Sequence, residues 1–365
     1  MDINEILHKE ELSKDDLIFM LNLRANKDIA MLKERAYSVM SEYCGEFVYL
    51  RGLIEFSNYC TFDCYYCGIR KSNQKVERYI LNKDEIIETA KWCATKGYGS
   101  LVLQSGERSD EAFIDFIIDL LRTIKQETIS EQLPQGLGIT LSVGEQTAET
   151  YQRFFDAGAH RYLLRIETSN PELYSKLHPQ EQSYTKRLQA LKDLKNSGFQ
   201  VGTGIMLGLP EQTITHIAED IIFFKNMDID MIGMGPYIVH NDTPMRHYEP
   251  YYKIHKKDVY LLALKAISTA RLFLKDVNIA ATTALQAMYP LGREEALRSG
   301  ANVIMPLLTP ANVRKKYTLY DGKPCTDELS SDCFECVVQR IETTGRKVAL
   351  NKWGDAPHFA IRQKK

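Results

Sequence analysis

Eight short β-rich runs recur along this chain, and amphipathic helical stretches separate them. That alternation limits the fold more than any other feature. The runs lie at 47–56, 100–104, 138–143, 161–168, 201–207, 231–238, 278–284 and 302–308. Helical periodicity falls near 83–97, 110–127, 146–157, 184–197, 212–227, 255–275 and 293–299. Helical stretches end at or near Gly97, Gly158, Gly198 and Gly300, as expected where a helix stops in the left-handed conformation before the next strand. Strands alternating with helices imply parallel βαβ units, because a parallel pair needs a long crossover. A count of eight predicts closure into a (β/α)8 barrel rather than an open sheet.

The predicted organisation has three parts. Residues 1–45 form an N-terminal helical extension, 46–312 the barrel, and 313–365 a short cysteine-containing extension. The length of 365 residues suits one barrel with additions. With 44% hydrophobic residues the chain buries a core without needing disulfides. A net charge of −2 gives no argument for nucleic-acid or membrane affinity. The opening MDINEILHKEELSKDDL lacks an apolar targeting segment. The expectation is a soluble, cytoplasmic protein.

Cysteine placement points to chemistry. Cys60, Cys64 and Cys67 form a Cx3Cx2C group directly after the first strand, at the catalytic end of a barrel. Three thiolates on a short loop can hold three corners of an iron-sulfur cubane and leave the fourth iron open. A structural zinc site closes with four ligands; here that alternative would recruit His240 or another distant residue. Cys325, Cys333 and Cys336 form a second group, readable as a metal site or as free thiols. Cys44 and Cys93 read as packing residues. Polar residues recur at strand ends: Gln104, Ser105 and Glu107, Ser142 and Glu145, Arg165, Glu167 and Thr168, Thr282 and Thr283. Singly each could be a turn or cap; together they predict a polar cavity.

The CxxxCxxC motif resembles that of the radical S-adenosylmethionine (SAM) superfamily. The resemblance implies a [4Fe-4S] cluster on Cys60, Cys64 and Cys67 whose open iron binds SAM, which is cleaved to methionine and a 5′-deoxyadenosyl radical. It implies SAM contacts from Tyr66, Gln104, Ser105, Glu107, Ser142, Arg165, Glu167, Arg187 and Met206. The segments EFSNYC, CYYCGIR, LVLQSGE, RYLLRIETSNP, GPYIVHNDTP, ATTA, SGANVIMPLLTP and LYDGKPC further resemble the HydE family of [FeFe]-hydrogenase maturases. That likeness implies a role in assembling the diiron unit of the H-cluster. The implied substrate is an iron–cysteine complex carrying CO and cyanide. HydG and HydF are the implied partners, with an external electron donor. Met305 matches a position near the substrate in that family; by their chemistry, Arg51, Arg165, Thr282 and Thr283 could hold an anionic substrate, and Tyr317 and Tyr320 could close over it. An accessory [2Fe-2S] or [4Fe-4S] cluster on Cys325, Cys333 and Cys336 is implied for some members.

Three alternatives stand beside this reading. A methylornithine synthase (PylB-like) or another HydE-like enzyme would act on an amino acid or thiazolidine; PylB-like enzymes lack the C-terminal cysteine group. Biotin synthase is disfavoured, since no cysteine lies on strands three to eight. A non-catalytic iron-sulfur carrier would hold a cluster without a SAM pocket.

Overall fold

In the computed structural model, which describes residues 2–326 and 330–364 with the side chains of 330–333 excepted, eight parallel strands close into a barrel. They are β1 (Phe47–Ser57), β2 (Ser100–Ser105), β3 (Gly138–Ser142), β4 (Ala159–Leu163), β5 (Gln200–Leu207), β6 (Met231–Pro236), β7 (Asn278–Ala280) and β8 (Val303–Ile304). Each pairs with its sequence neighbour, and β1 pairs with both β8 and β2, which completes the ring. The predicted (β/α)8 barrel is therefore the observed one.

The helices lie where periodicity places them. Gly97 and Gly198 end their helices at φ +81° and +88°, a conformation that disfavours any side chain. Helix Glu111–Glu127 buries Phe113, Ile114, Ile117, Leu120, Leu121 and Ile124, a single face at i, i+3, i+4 spacing. Burying one such side chain contributes roughly 1.5–3 kcal/mol. The N-terminal segment forms three helices, Ile3–Leu7, Lys14–Leu21 and Asn26–Cys44. Ser13 and Asp16 make a capping box at the start of the second. Cys44 and Cys93 are buried as packing residues, at 7% and 0% exposure.

Three strands are much shorter than expected at the catalytic mouth; of the run 302–308 only Val303–Ile304 forms strand. The run 161–168 leaves the ladder after Leu163. Glu167 takes φ +63°, and the Thr203 hydroxyl accepts the Ile166 amide, so the segment peels inward. The run 278–284 leaves the sheet after Ala280. Thr283 instead opens a helix, Thr283–Met288, with Thr282 at its N-cap.

The opposite mouth is plugged by the C-terminal segment. A ninth strand, Lys347–Val348, pairs with the start of β1. The chain then crosses beneath the barrel. The Gly354 carbonyl accepts from Arg51 and Asn278, and Arg161 donates to the Trp353 carbonyl and to Asp355. His358 fastens the last helix, Pro357–Arg362, by contacting Asp276 at 3.1 Å and Asp228 at 2.6 Å; Lys195 and Arg362 also face Asp228.

Those hydrogen bonds, Asp276 first, raise His358 to about 9 against the opposing effect of burial. A folded value above the unfolded ~6.5 means the protonated ring stabilises the fold fully below pH ~6.5. That contribution is lost as pH rises through about 9. The melting-temperature gap between the wild type and His358→Gln is therefore expected to be largest near pH 6 and to shrink by pH 9.5. A gap that stays constant across this range would remove the role given to His358.

Candidate active site

The cysteine loop starts where β1 ends, and its path is set by hydrogen bonds to otherwise orphaned carbonyls. Arg78 donates to the carbonyls of Asn58, Ile69 and Arg70 at 2.6–2.8 Å. The Asn58 amide bonds the Glu77 and Lys316 carbonyls, and its oxygen accepts the Tyr79 amide. Gly106 lets β2 abut the loop: a Cβ there would stand 2.2 Å from the Tyr59 carbonyl oxygen and 2.8 Å from Cys60 Cβ. The Glu107 amide donates to Cys60 Sγ at 3.4 Å. Cys64 Sγ contacts Gln182 Oε1 at 3.3 Å.

Burial holds all three thiols above the usual range. Cys64 rises to about 12, and Cys67 is pushed well up by burial and by its two partners. Metal binding must therefore displace their protons. The donor set is three soft sulfurs, suited to iron-sulfur chemistry. Among the described residues no three His, Cys, Asp or Glu side chains converge on one ion. A cubane needs no such convergence, because each thiolate takes a different iron. His240 packs beside Gly68, but its Nδ1 accepts the Asp242 amide and its Nε2 faces Asp321 at 3.7 Å.

Beside the loop lies a cavity of about 220 Å³. Tyr66, Arg165, Glu167, Met206, Thr282 and Thr283 contribute to its wall. Arg165 grips Glu167 with two bonds of 2.9 Å and reaches the carbonyls of Gly233 and Ile205. The β5 and β6 backbones approach closely here, since a Cβ on Gly204 would lie 2.2 Å from the Gly233 oxygen. Arg187 joins the mouth from its helix, Tyr184–Asn196. It bonds Glu145 and the Arg165 carbonyl at 2.5 Å each and faces Glu107 at 3.6 Å. Burial pushes Glu107 up to about 8 against the pull of Arg187, with Glu145 adding to the rise. Two buried hydroxyls on the cavity wall, Thr282 Oγ1 and Tyr237 OH, have no partner among the described residues. Orphaned polar atoms facing a cavity fit a polar ligand such as SAM.

A second chamber of about 140 Å³ adjoins the first. Thr283, Leu319 and Tyr320 line both. Met305 and Gln104 belong to this second chamber, and Gln104 donates to the Tyr317 hydroxyl at 3.2 Å. Gln104 thus sits with the expected substrate residues rather than on the first cavity's wall. Ser142 is its partner in the β2–β3 register. The Ser105 hydroxyl bonds the Gly106 carbonyl, which holds the turn.

Arg51 does not join this site. It lies early in β1, opposite Ser100 at the start of β2, and is fully buried at the floor, bonded to Gly354 and Met231. A strand places its first and last residues at opposite mouths, so the expected substrate contact is corrected to a structural one. Sequence reading also missed His178, which meets Tyr66 edge-on with ring centroids 5.6 Å apart, and Gln182. It missed the buried pair of Glu55 and Lys323, whose Nζ lies 2.5–2.6 Å from both carboxylate oxygens. A carboxylate inside an apolar strand was the available signal for Glu55. Cys325 and Cys336 border a small hollow of about 30 Å³ with Arg293 and Arg340. The Cys333 side chain lies outside the described residues.

A family model, the radical SAM superfamily, matches residues 54–224. The chain is 41% identical to the [FeFe] hydrogenase maturase subunit HydE of Thermotoga maritima, over 97% of this chain and 96% of that protein. The chain belongs to the radical SAM superfamily, in its HydE family. As a radical SAM enzyme it belongs with proteins that use a [4Fe-4S] cluster and SAM. It is 28% identical to 3-methylornithine synthase of Methanosarcina acetivorans over 94% of this chain and 93% of that one. The crystal structure of methylornithine synthase (PylB) superposes with a TM-score of 0.78 at 26% identity, covering 96% of this chain and 97% of that one. The maturase HydG shares the fold, with a TM-score of 0.76 at 18% identity over 94% of this chain and 74% of that one.

The close approach at Gly106 yields a test. Gly106→Ala must push the Tyr59–Cys60 backbone away, and backbone does not yield cheaply. After anaerobic reconstitution, iron per chain in this variant is expected to fall to less than half of wild type. Unchanged iron content would show that the loop tolerates displacement.

Proposed function

We propose that this chain is a radical SAM maturase of the HydE type, acting in assembly of the diiron unit of the [FeFe]-hydrogenase H-cluster. The observation that carries the reading is the continuity of the three-thiol loop, through Tyr66, with a mainly apolar cavity that also carries Arg165, Glu167 and Thr282, in a chain alike to a HydE maturase over nearly its whole length. Cys60, Cys64 and Cys67 would hold the cluster. Bound together, cluster and SAM supply a 5′-deoxyadenosyl radical.

The chain's own residues then position and shield. Tyr66 and Met206 offer an apolar wall to an adenosyl group. Glu107, Arg187, Arg165 and Glu167 form a charged rim at the loop, suited to the amino, carboxylate and ribose groups of SAM. Ser105, bonded within the turn, and Ser142 and Gln104 behind it shape the same side of the mouth. The substrate would be an iron–cysteine complex carrying CO and cyanide, supplied by HydG and passed on toward HydF. Thr282, Thr283, Met305, Tyr317 and Tyr320 surround the space for it, in the two joined chambers. Cys325, Cys333 and Cys336 would hold an accessory [2Fe-2S] or [4Fe-4S] cluster at the barrel's edge, dispensable for SAM cleavage.

A carrier would lack a SAM cavity; the 220 Å³ space beside the loop favours the enzyme. Cys64→Ser is expected to abolish formation of 5′-deoxyadenosine from SAM under dithionite, while Cys336→Ser keeps most of it. Equal loss in both variants contradicts the separate roles of the two cysteine groups. Wild-type protein with an intact cluster and no SAM turnover would support a carrier instead.

A further inference from the structure

The three cysteines of the N-terminal group differ in what reaches their sulfurs. Cys60 Sγ accepts the Glu107 amide at 3.4 Å, and the Phe62 amide also bonds it. Cys67 Sγ accepts the Ile69 amide. Among the described residues Cys64 Sγ has no backbone donor, and its one hydrogen-bond partner is the Gln182 side chain.

Gln182 is 5% exposed and lies on the loop between the helices Pro171–Leu177 and Tyr184–Asn196. Three contacts fix this loop. The Gln182 backbone N–H donates to the Pro179 carbonyl at 3.0 Å, and the Tyr65 amide donates to the Leu177 carbonyl at 2.9 Å. His178 Nε2 lies 3.4 Å from the Tyr66 hydroxyl. The last two tie the glutamine's loop to the two residues between Cys64 and Cys67.

The Gln182 side-chain amide is half satisfied. Its oxygen meets Cys64 Sγ at 3.3 Å, while Nε2 is buried with no partner among the described residues. That arrangement suits a thiol, whose S–H donates to oxygen. Iron binding removes the proton, and the thiolate that remains only accepts. An oxygen facing it repels, and turning the amide over brings Nε2 to the same place. The orphaned donor gains a charged acceptor, which makes the bond stronger than one between neutral groups. The oxygen takes the unpartnered position, which a carbonyl tolerates better than an N–H does.

We propose that Gln182 donates a hydrogen bond to the Cys64 thiolate in the loaded protein and thereby raises the reduction potential of the bound cluster. The inference rests on the assignment of the cluster to Cys60, Cys64 and Cys67, and extends it to a residue outside the motif. Uptake of one electron adds one negative charge, shared by the ligand sulfurs. A donor aimed at such a sulfur stabilises the reduced state more than the oxidised one. Gln182 lines neither the cavity beside the cysteine loop nor the second chamber. It is a positioning residue that acts through Cys64.

The test compares anaerobically reconstituted wild type, Gln182→Leu and Gln182→Asn. Potentiometric titration followed by electron paramagnetic resonance, without SAM, reads the midpoint potential. Gln182→Leu keeps the volume and loses the donor. Its midpoint is expected to move to more negative potential, so that at the wild-type midpoint the ratio of reduced to oxidised cluster falls severalfold. Gln182→Asn, with a stem one carbon shorter, is expected to move the same way. Loss of a polar group by itself also lowers the potential, so deuterium electron-nuclear double resonance in heavy water reads the bond directly. Wild type is expected to show an exchangeable deuteron coupled to the cluster that Gln182→Leu lacks. An unchanged midpoint, or identical deuteron couplings, in a Gln182→Leu protein with full iron content would overturn the proposal. Failure of both variants to load iron would overturn it as well, and would make Gln182 an assembly residue. Wild type with full iron but no reducible cubane would strike the cluster assignment, and the proposal with it.

Discussion

Closure of the sheet through β1 is the constraint on which the rest of the molecule depends. β1 bonds β2 on one side and β8 on the other, so no strand of the ring has a free edge. All eight strands are parallel, and their C-terminal ends therefore open at one mouth. The cysteine loop leaves the end of β1, and Gly106 at the end of β2 presses against it. A loop anchored on the closing seam inherits the stiffness of the barrel. That stiffness matters, because a cluster ligated by three sulfurs needs each of them held without help from a fourth.

Charge is handled differently at the two mouths. At the floor, Arg51 and Arg161 are buried together, and the carboxy-terminal crossing supplies Asp355 and backbone carbonyls to them. These bonds tie the floor to the last segment of the chain and read as stability, although Arg51 Nε itself finds no partner among the described residues. At the catalytic mouth, paired ions stand beside two hydroxyls, Thr282 Oγ1 and Tyr237 OH, that have no partner among the described residues. Unmet polar groups around a cavity are the physical mark of a site waiting for a ligand. Arg51, a strand arginine on the same barrel, is structural because it lies at the floor, opposite the first residue of β2 and bonded to the Gly354 carbonyl.

The local backbone at the mouth departs from regular geometry where function gathers. Glu167 occupies a left-handed conformation that a residue with a side chain adopts at some cost. The conformation is held by its amide to the Gly204 carbonyl, by its carbonyl accepting the Met206 amide, and by the two bonds from Arg165. This turn folds the Arg165–Glu167 pair back onto the cavity wall. A straight continuation of β4 would have carried Glu167 on along the ladder.

Much of this was legible in the order of residues. Strand and helix periods, helix-ending glycines and the Cx3Cx2C spacing are short-range patterns, and each is dictated by backbone sterics or by the reach of a few residues. The barrel, its mouth and the three-sulfur loop follow from them. Partnerships across the fold were decided only by tertiary structure. Lys323 finds Glu55 from 268 residues away, the Gly354 carbonyl meets Arg51 across the floor, and Gln182 comes to Cys64 from a separate loop. Such pairs depend on where closure brings distant segments, and no local period encodes that. Which charged residue meets which partner is accordingly a property of the closed barrel, not of any stretch of its sequence.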